Sequence, residues 1–555
     1  MAITKLIVGG FKSLKEPVEI PLAPITLVFG PNSAGKSAIH GALLELRRRL
    51  TRDKAKSKLS SAIQRFLNQD SVAHQLPRLD DLEEPSFTRV LLGCEIDDFI
   101  FPGSMELASA TRWNGIGRDF YRSLEGKSVG YRLVGEAGDW TCAHEISVDG
   151  ATVFEYMAPG ALGGDKQVPG WPALHGFLGE HDEMLGLLSL HAGHAFWKSD
   201  EFQTLLTRLE DAVARSAGAW MRSAVWWDAG TLNVRLHAFN RQLDDWAEMN
   251  SDPYQGSPKL PDEIAAVNEP LSELCRVVNE LVLQTEWAIC QQVDIAHVSG
   301  SRQLLSEADV QTEWTGLDKV YSDEVPGSGL HDYAKWLGLV TAESDEIDVK
   351  QTTKSKDDFV NDVLSRNLFS ARGYRVKAEV SVRTETMVVP RDATWSTDPE
   401  VSMQSTLYLQ DEQGRALSFN QVGSGISYVL PVLTALWGAE RSLIEQPELH
   451  LHPAAQCEMG DAVIRAFNRG RFSIIETHSE HLLLRVLKRI RQTSEQKAED
   501  LELQCPPEAV VVLYFAPMAD GTTQVNRLRV TRGGDFMDRW PDGFFEERSR
   551  ELFDE

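Results

Sequence analysis

Gly30 to Ser37 read GPNSAGKS and satisfy the pattern G-x-x-x-x-G-K-[ST]. Each residue type answers to one part of a polyphosphate. Gly30 and Gly35 let the backbone bend so that successive N–H groups turn inward on a β-phosphate. Lys36 sets a point charge between the β- and γ-phosphates, and the Ser37 hydroxyl can ligate Mg²⁺. The cradle predicted from this loop is Gly30, Pro31, Asn32, Ser33, Ala34, Gly35, Lys36, Ser37 and Ala38. Such chemistry needs an acid as well. Arg441-Ser442-Leu443-Ile444-Glu445-Gln446-Pro447-Glu448 is a short apolar strand running into carboxylates. Glu445 stands where a strand-end acid would hold Mg²⁺, directly or through water. The cofactors predicted are therefore ATP and Mg²⁺, with Ser37 and Glu445 as the metal ligands.

The elements that must position these groups are legible around them. Ile25-Thr26-Leu27-Val28-Phe29 enters the loop as a buried strand would. Ala38-Ile39-His40-Gly41-Ala42-Leu43-Leu44 leaves it at helical spacing, so a helix N-terminus faces the phosphates. Strand patterns are predicted at 5–11, 18–29, 88–101, 129–135, 141–148 and 151–157, the later ones forming an antiparallel subsheet. Beyond Pro159 the pattern turns helical, at 202–222, 233–249, 261–293 and 356–369. Pro270 divides the third of these into two helices. Trp226 and Trp227 read as packing residues, with base stacking as the other reading. Strands at 374–382 and 401–410 follow. Helix 426–440, strand 442–445, helix 454–468, strand 471–476 and helix 479–494 then alternate, and strands at 509–515 and 523–530 come last.

Three stretches taken together, GPNSAGKS, IEQPELHLHP at 444–453 and IIETHSEHLL at 474–483, resemble the ABC-type ATPase heads of the RecF/SMC and OLD (overcoming-lysogenization-defect) class. The resemblance covers about 1–155 and 375–555. It implies an α/β fold of the ABC-type P-loop NTPase head: a mixed central sheet with flanking helices and an antiparallel subsheet, interrupted by a mainly helical insertion. The corresponding division is 1–158, 159–370 and 371–555, the last part ending in a small C-terminal extension. In that class two heads meet head to tail around two ATP molecules. The resemblance implies that Gly423, Ser424 and Gly425 form the signature that meets the nucleotide of the opposite subunit, and that His478 is the switch histidine at the γ-phosphate. His450 and His452 fall in a loop that crosses the dimer interface in such enzymes; an H-x-H pair is also a metal-site pattern, without an evident third ligand. The catalytic set is then Lys36, Glu445, Gln446, Glu448 and His478.

This sequence departs from the class in two places. Gln446 occupies the position of the usual catalytic glutamate. Glutamine orients a water but takes no proton, so either Glu448 is the base or hydrolysis is slow. The signature is also altered, with Gly423 in place of the usual serine. The glutamine-bearing loop falls at Gln69 or Gln75.

The chain has 555 residues, 42% hydrophobic and 25% charged, which fits a soluble protein of two or more domains. Six scattered cysteines suggest neither zinc nor disulfides. With no transmembrane-length run and no signal-peptide layout, a cytoplasmic protein without a membrane partner is expected. A net charge of −26 excludes indiscriminate coating of DNA. Any DNA contact falls to the local run Arg47, Arg48, Arg49, Arg52, Lys54, Lys56 and Lys58, which also reads as a solvated helix face.

Residues after His478 lack the acidic D-x-D pair of a TOPRIM nuclease. The resemblance therefore implies an ATPase that forms a homodimer or higher oligomer and works with a separate effector protein, as in bacterial anti-phage defence. The alternative is a RecF-like DNA-repair ATPase acting on DNA itself. A purely structural scaffold is a third reading, opposed by intact Lys36, Ser37 and His478.

Overall fold

The computed structural model describes residues 2–52, 89–97, 99, 124–136, 143–157, 187–216, 222, 224–235, 262–293, 295–300, 311–315, 373–385, 400–498 and 500–540. They form two compact units. One takes in Met1–Leu22, Ser37–Asp294 and Pro517–Gln524; the other Ala23–Lys36, Ile295–Ala516 and Val525–Glu555.

The elements up to Asp294 are β1 (Ala2–Gly9), β2 (Val18–Pro21), β3 (Ile25–Phe29), α1 (Ser37–Arg52), β4 (Arg89–Asp97), β5 (Val129–Glu136), β6 (Ala143–Val148), β7 (Ala151–Met157), β8 (Leu187–Leu190), α2 (Asp200–Arg215), β9 (Val225–Asp228), β10 (Thr231–Arg235) and α3 (Asp262–Gln292). All but β3 belong to the first unit. Its sheet is antiparallel, in the order β2-β1-β4-β5-β6-β7-β8-β10-β9. Alternation drives it: Val129, Tyr131 and Leu133 of β5 are buried at period two. Ser199 caps α2 by accepting from the Phe202 N–H, with Asp200 and Glu201 in the first turn. The Tyr131 hydroxyl reaches from the sheet to the Glu286 carboxylate of α3 at 2.9 Å.

The second unit adds β11 (Ala296–Val298), β12 (Gln311–Thr315), β13 (Arg375–Glu385), β14 (Glu400–Gln410), β15 (Ala416–Leu417), α4 (Ser424–Gly438), β16 (Arg441–Glu445), α5 (Pro453–Asn468), β17 (Phe472–Glu476), α6 (Glu480–Ser494) and β18 (Val510–Pro517), followed by β19 (Thr523–Leu528). Its main sheet runs β11-β16-β17-β3-β18-β19, and β11, β16, β17, β3 and β18 are mutually parallel. Every residue of β3 is buried, as a central parallel strand requires. Val429, Leu430, Val432, Leu433 and Leu436 of α4 are buried in the same core. A further sheet, β12-β14-β13, carries β15 on β14.

The fold is α/β, with a mixed sheet, an antiparallel sheet and flanking helices. The stretch 159–370 is not helical throughout. Helices supply most of its described residues, but β8, β9 and β10 join the antiparallel sheet and β11 joins the parallel one. Three sequence expectations are corrected. Pro270 does not divide 261–293, which is one helix with the proline inside. Val267, Leu271, Leu274 and Val278 are buried in sequence along it, so both halves bury one continuous face. The helix expected over 233–249 begins instead with β10, where Leu232 and Val234 are buried at period two. The run 18–29 is two strands, not one. Trp226 and Trp227 lie half-buried on β9, paired with Asn233 and Leu232. The helix expected at 356–369, and Gln69 and Gln75, lie outside the described residues, as do Lys54, Lys56 and Lys58. Arg47, Arg48, Arg49 and Arg52 fall in the last turns of α1.

Candidate functional site

Gly30 follows the last residue of β3 and takes φ +148°. A Cβ there would meet the Phe515 carbonyl oxygen at 2.5 Å, so the turn admits only glycine. Ser33 and Gly35 are also left-handed, at φ 63° and 83°. The Ala34 N–H donates to the Pro31 carbonyl at 3.2 Å, and Pro31, Asn32 and Gly35 remain at least partly accessible. Lys36 is buried, with its Nζ donating to the carbonyls of Gly30 (3.0 Å) and Pro31 (2.9 Å). Burial pushes its pKa below the usual lysine value, while Glu476 and Glu448 pull the other way. The next residue, Ser37, opens α1 and is exposed; Ala38 is buried. A bent, glycine-dependent loop wrapped around a buried cation fits a polyphosphate.

The acids converge from two neighbouring strand ends. In the parallel register Glu445 of β16 is paired with Glu476 of β17, and Glu476 with Val28 of β3. Glu445 accepts from His297 Nε2 at 3.0 Å and from the Gly300 N–H at 2.9 Å, one on each carboxylate oxygen. A carboxylate offers about four lone-pair sites, so this arrangement holds Glu445 in place and leaves it chemically suited to a water-mediated cation. His297 and Gly300 carried no sequence signal. Their relation to Glu445 comes from β11 adding to the sheet beside β16.

Gln446 adopts a left-handed turn, φ 46°, and its N–H donates to the Glu476 carbonyl at 2.7 Å. Glu448 is committed to the next loop: Oε2 accepts from Thr477 Oγ1 and Oε1 from the His478 N–H, both at 2.7 Å. His478 Nε2 is buried without a hydrogen-bond partner. Burial, then the charge of Lys36, holds its pKa below the ordinary 6.5, so the imidazole is neutral at pH 7. Glu476, absent from the sequence-derived set, is buried with Oε1 3.6 Å from Lys36 Nζ. Its signal was present in the sequence, as an acid closing the apolar strand FSIIE.

Gly423 is the N-cap of α4, with no side-chain cap, so the first N–H groups of the helix stay available. Gly423 is exposed, Ser424 half-buried and Gly425 buried. His450 lies against the Tyr428 ring of α4 at 4.4 Å between centroids, and His452 Nδ1 caps α5 by accepting from the Ala454 N–H. Each histidine therefore has its own packing or capping role. No group of three or more His, Cys, Asp or Glu able to hold a metal occurs among the described residues. Mg²⁺ needs fewer protein ligands, because it keeps waters and leans on substrate phosphates.

Residues 332–483 match the family model of the AAA ATPase domain. The matched stretch takes in Gly423 to Gly425, Glu445, Gln446, Glu448, Glu476 and His478, and leaves the phosphate loop outside it. Comparison with curated proteins gives no match. Among solved structures the chain is similar to an SMC head bound to the C-winged helix domain of ScpA, at 12% identity over 96% of this chain and 99% of that one, TM-score 0.37. It is similar also to an Smc head with an extended coiled coil bound to the C-terminal domain of ScpA derived from Pyrococcus furiosus, at 12% identity over 99% and 98%, TM-score 0.33. The SMC head domain from Thermotoga maritima gives 10% identity over 96% and 100%, TM-score 0.32. At these values no residue role transfers from those proteins.

Proposed function

We propose that this chain binds and slowly hydrolyses ATP, and that ATP closes two heads into a dimer. The observation that carries the reading is the buried Lys36 inside a glycine-bent loop, facing the Glu476 carboxylate at the end of β17. In this reading the loop 30–38 cradles the phosphates. Ser37 and Glu445 would hold Mg²⁺, which neutralises phosphate charge when bound. His478 offers a neutral, desolvated nitrogen toward the γ-phosphate, and Glu448 fixes the backbone that carries it. Gln446 orients water without accepting its proton, which supports turnover at the low end of the roughly 1–10³ s⁻¹ range. The finer reading, an ATPase and sensor subunit of an anti-phage system with a separate effector, is supported by the resemblance of its motifs. DNA-stimulated turnover lost on charge reversal at Arg47 to Arg49 would favour the DNA-repair reading instead.

Calorimetry of ATP binding to wild type and Lys36→Ala tests the core of this reading. Loss of a charge-assisted contact should weaken binding by about 1.5–3 kcal/mol. Equal affinities would remove the phosphate assignment.

A further inference from the structure

Hydrolysis needs a proton acceptor, and the residues nearest the expected position do not supply one. Gln446 has no basic oxygen at neutral pH. Both carboxylate oxygens of Glu448 are engaged, by Thr477 Oγ1 and the His478 N–H, at 2.7 Å each. Glu445, held by His297 and the Gly300 N–H, is assigned to the Mg²⁺ in the reading above. The neutral ring of His478 resists taking up a proton because burial and Lys36 disfavour its charged form.

One further carboxylate faces the loop. Glu476 ends β17, its Cα in register with Glu445 on one side and with Val28, just before the loop, on the other. It is buried, and its Oε1 lies 3.6 Å from Lys36 Nζ. Its main chain is held from both sides: the Gln446 N–H donates to its carbonyl at 2.7 Å, and the N–H of the next residue, Thr477, donates to the Val28 carbonyl at 3.1 Å. A phosphate-loop lysine works between the β- and γ-phosphates. A carboxylate this close to its ammonium borders the place where that lysine would meet the γ-phosphate.

We propose that Glu476 is the proton acceptor for ATP hydrolysis, an inference that rests on the ATPase reading above. The oxygen of a water bonds to the γ-phosphorus as the bond from that phosphorus to the β–γ bridging oxygen breaks. The electron pair stays with ADP, and the water's proton passes to a carboxylate oxygen of Glu476. Release of that proton to solvent with phosphate restores the carboxylate.

The test is single-turnover hydrolysis of ATP with excess protein, alongside calorimetric ATP binding, for wild type, Glu476→Gln, Glu476→Asp and Lys36→Ala. Glu476→Gln should bind ATP within about threefold of wild type yet hydrolyse it roughly 10²–10⁴-fold more slowly. Glu476→Asp, which keeps a carboxylate, should fall between. Hydrolysis by Glu476→Gln within about tenfold of wild type would overturn the assignment. So would loss of ATP affinity in step with hydrolysis in both Glu476 variants, which would make Glu476 an anchor for Lys36. Wild type that binds ATP through Lys36 but never hydrolyses it also overturns the role and leaves ATP binding standing. Lys36→Ala that binds and hydrolyses like wild type removes the ATPase reading itself.

Discussion

His478 carries a pH signature separable from turnover. Its imidazole is held below 6.5 by burial and by Lys36, so the folded state resists a proton that the unfolded chain accepts. As pH falls the unfolded state binds that proton first. This contribution is complete above about pH 6.5 and is lost as pH drops from there through the lowered folded value. His478→Gln should therefore flatten the fall in urea midpoint as pH drops below about 6.5; equal slopes in both proteins would show that the ring titrates normally. The sequence made Lys36 and His478 readable because their neighbours form recognisable strings. Glu476 was visible only as an acid closing an apolar strand, its place beside Lys36 coming from lateral strand register, and His297 was hidden, because it reaches Glu445 only through β11 joining the sheet. Gln446 and Glu448 could be named from the sequence but not ranked. The hydrogen bonds from Thr477 and His478 now commit Glu448 to that loop.

At the scale of elements, periodicity succeeded where one face is buried and failed where local rules compete. Leu271, Leu274, Cys275, Val278, Leu281 and Val282 sit at helical spacing and are all buried. Pro270 breaks the local rule for that helix, yet packing on both sides keeps it continuous. Replacing it restores a backbone donor and removes a ring clash. Pro270→Ala should raise stability by up to about 3 kcal/mol, read as a higher urea midpoint at unchanged slope. A lower midpoint would mean that the proline's shape is itself needed. The strand at Thr231–Arg235 was missed for the opposite reason: five residues of alternation are easily submerged in a longer apolar pattern.

At the scale of the molecule, the reading as a closing pair of heads depends on α4. Its uncapped N-terminus at Gly423 offers donors, with Gly425 buried in the first turn. Sedimentation with ATP, with ADP and without nucleotide should show ATP-dependent association or compaction in wild type. Gly425→Trp should bind ATP but fail to close, and His478→Ala should close less at equal ATP. Identical behaviour of wild type in all three conditions would sink dimer closure, while normal closure of Gly425→Trp would remove the signature assignment alone. The sheet that carries Lys36 has another consequence, which concerns synthesis. Strand β3 is made among the first thirty residues, but its two hydrogen-bonded neighbours are β17 (Phe472–Glu476) and β18 (Val510–Pro517). At roughly 5–20 residues per second, the mostly apolar Ile25–Phe29 emerges from the ribosome on the order of a minute before either partner exists. The nascent chain thus exposes a bare, sticky strand for most of its translation. Chains released before Val510 should aggregate or remain bound to chaperones, whatever their nucleotide supply.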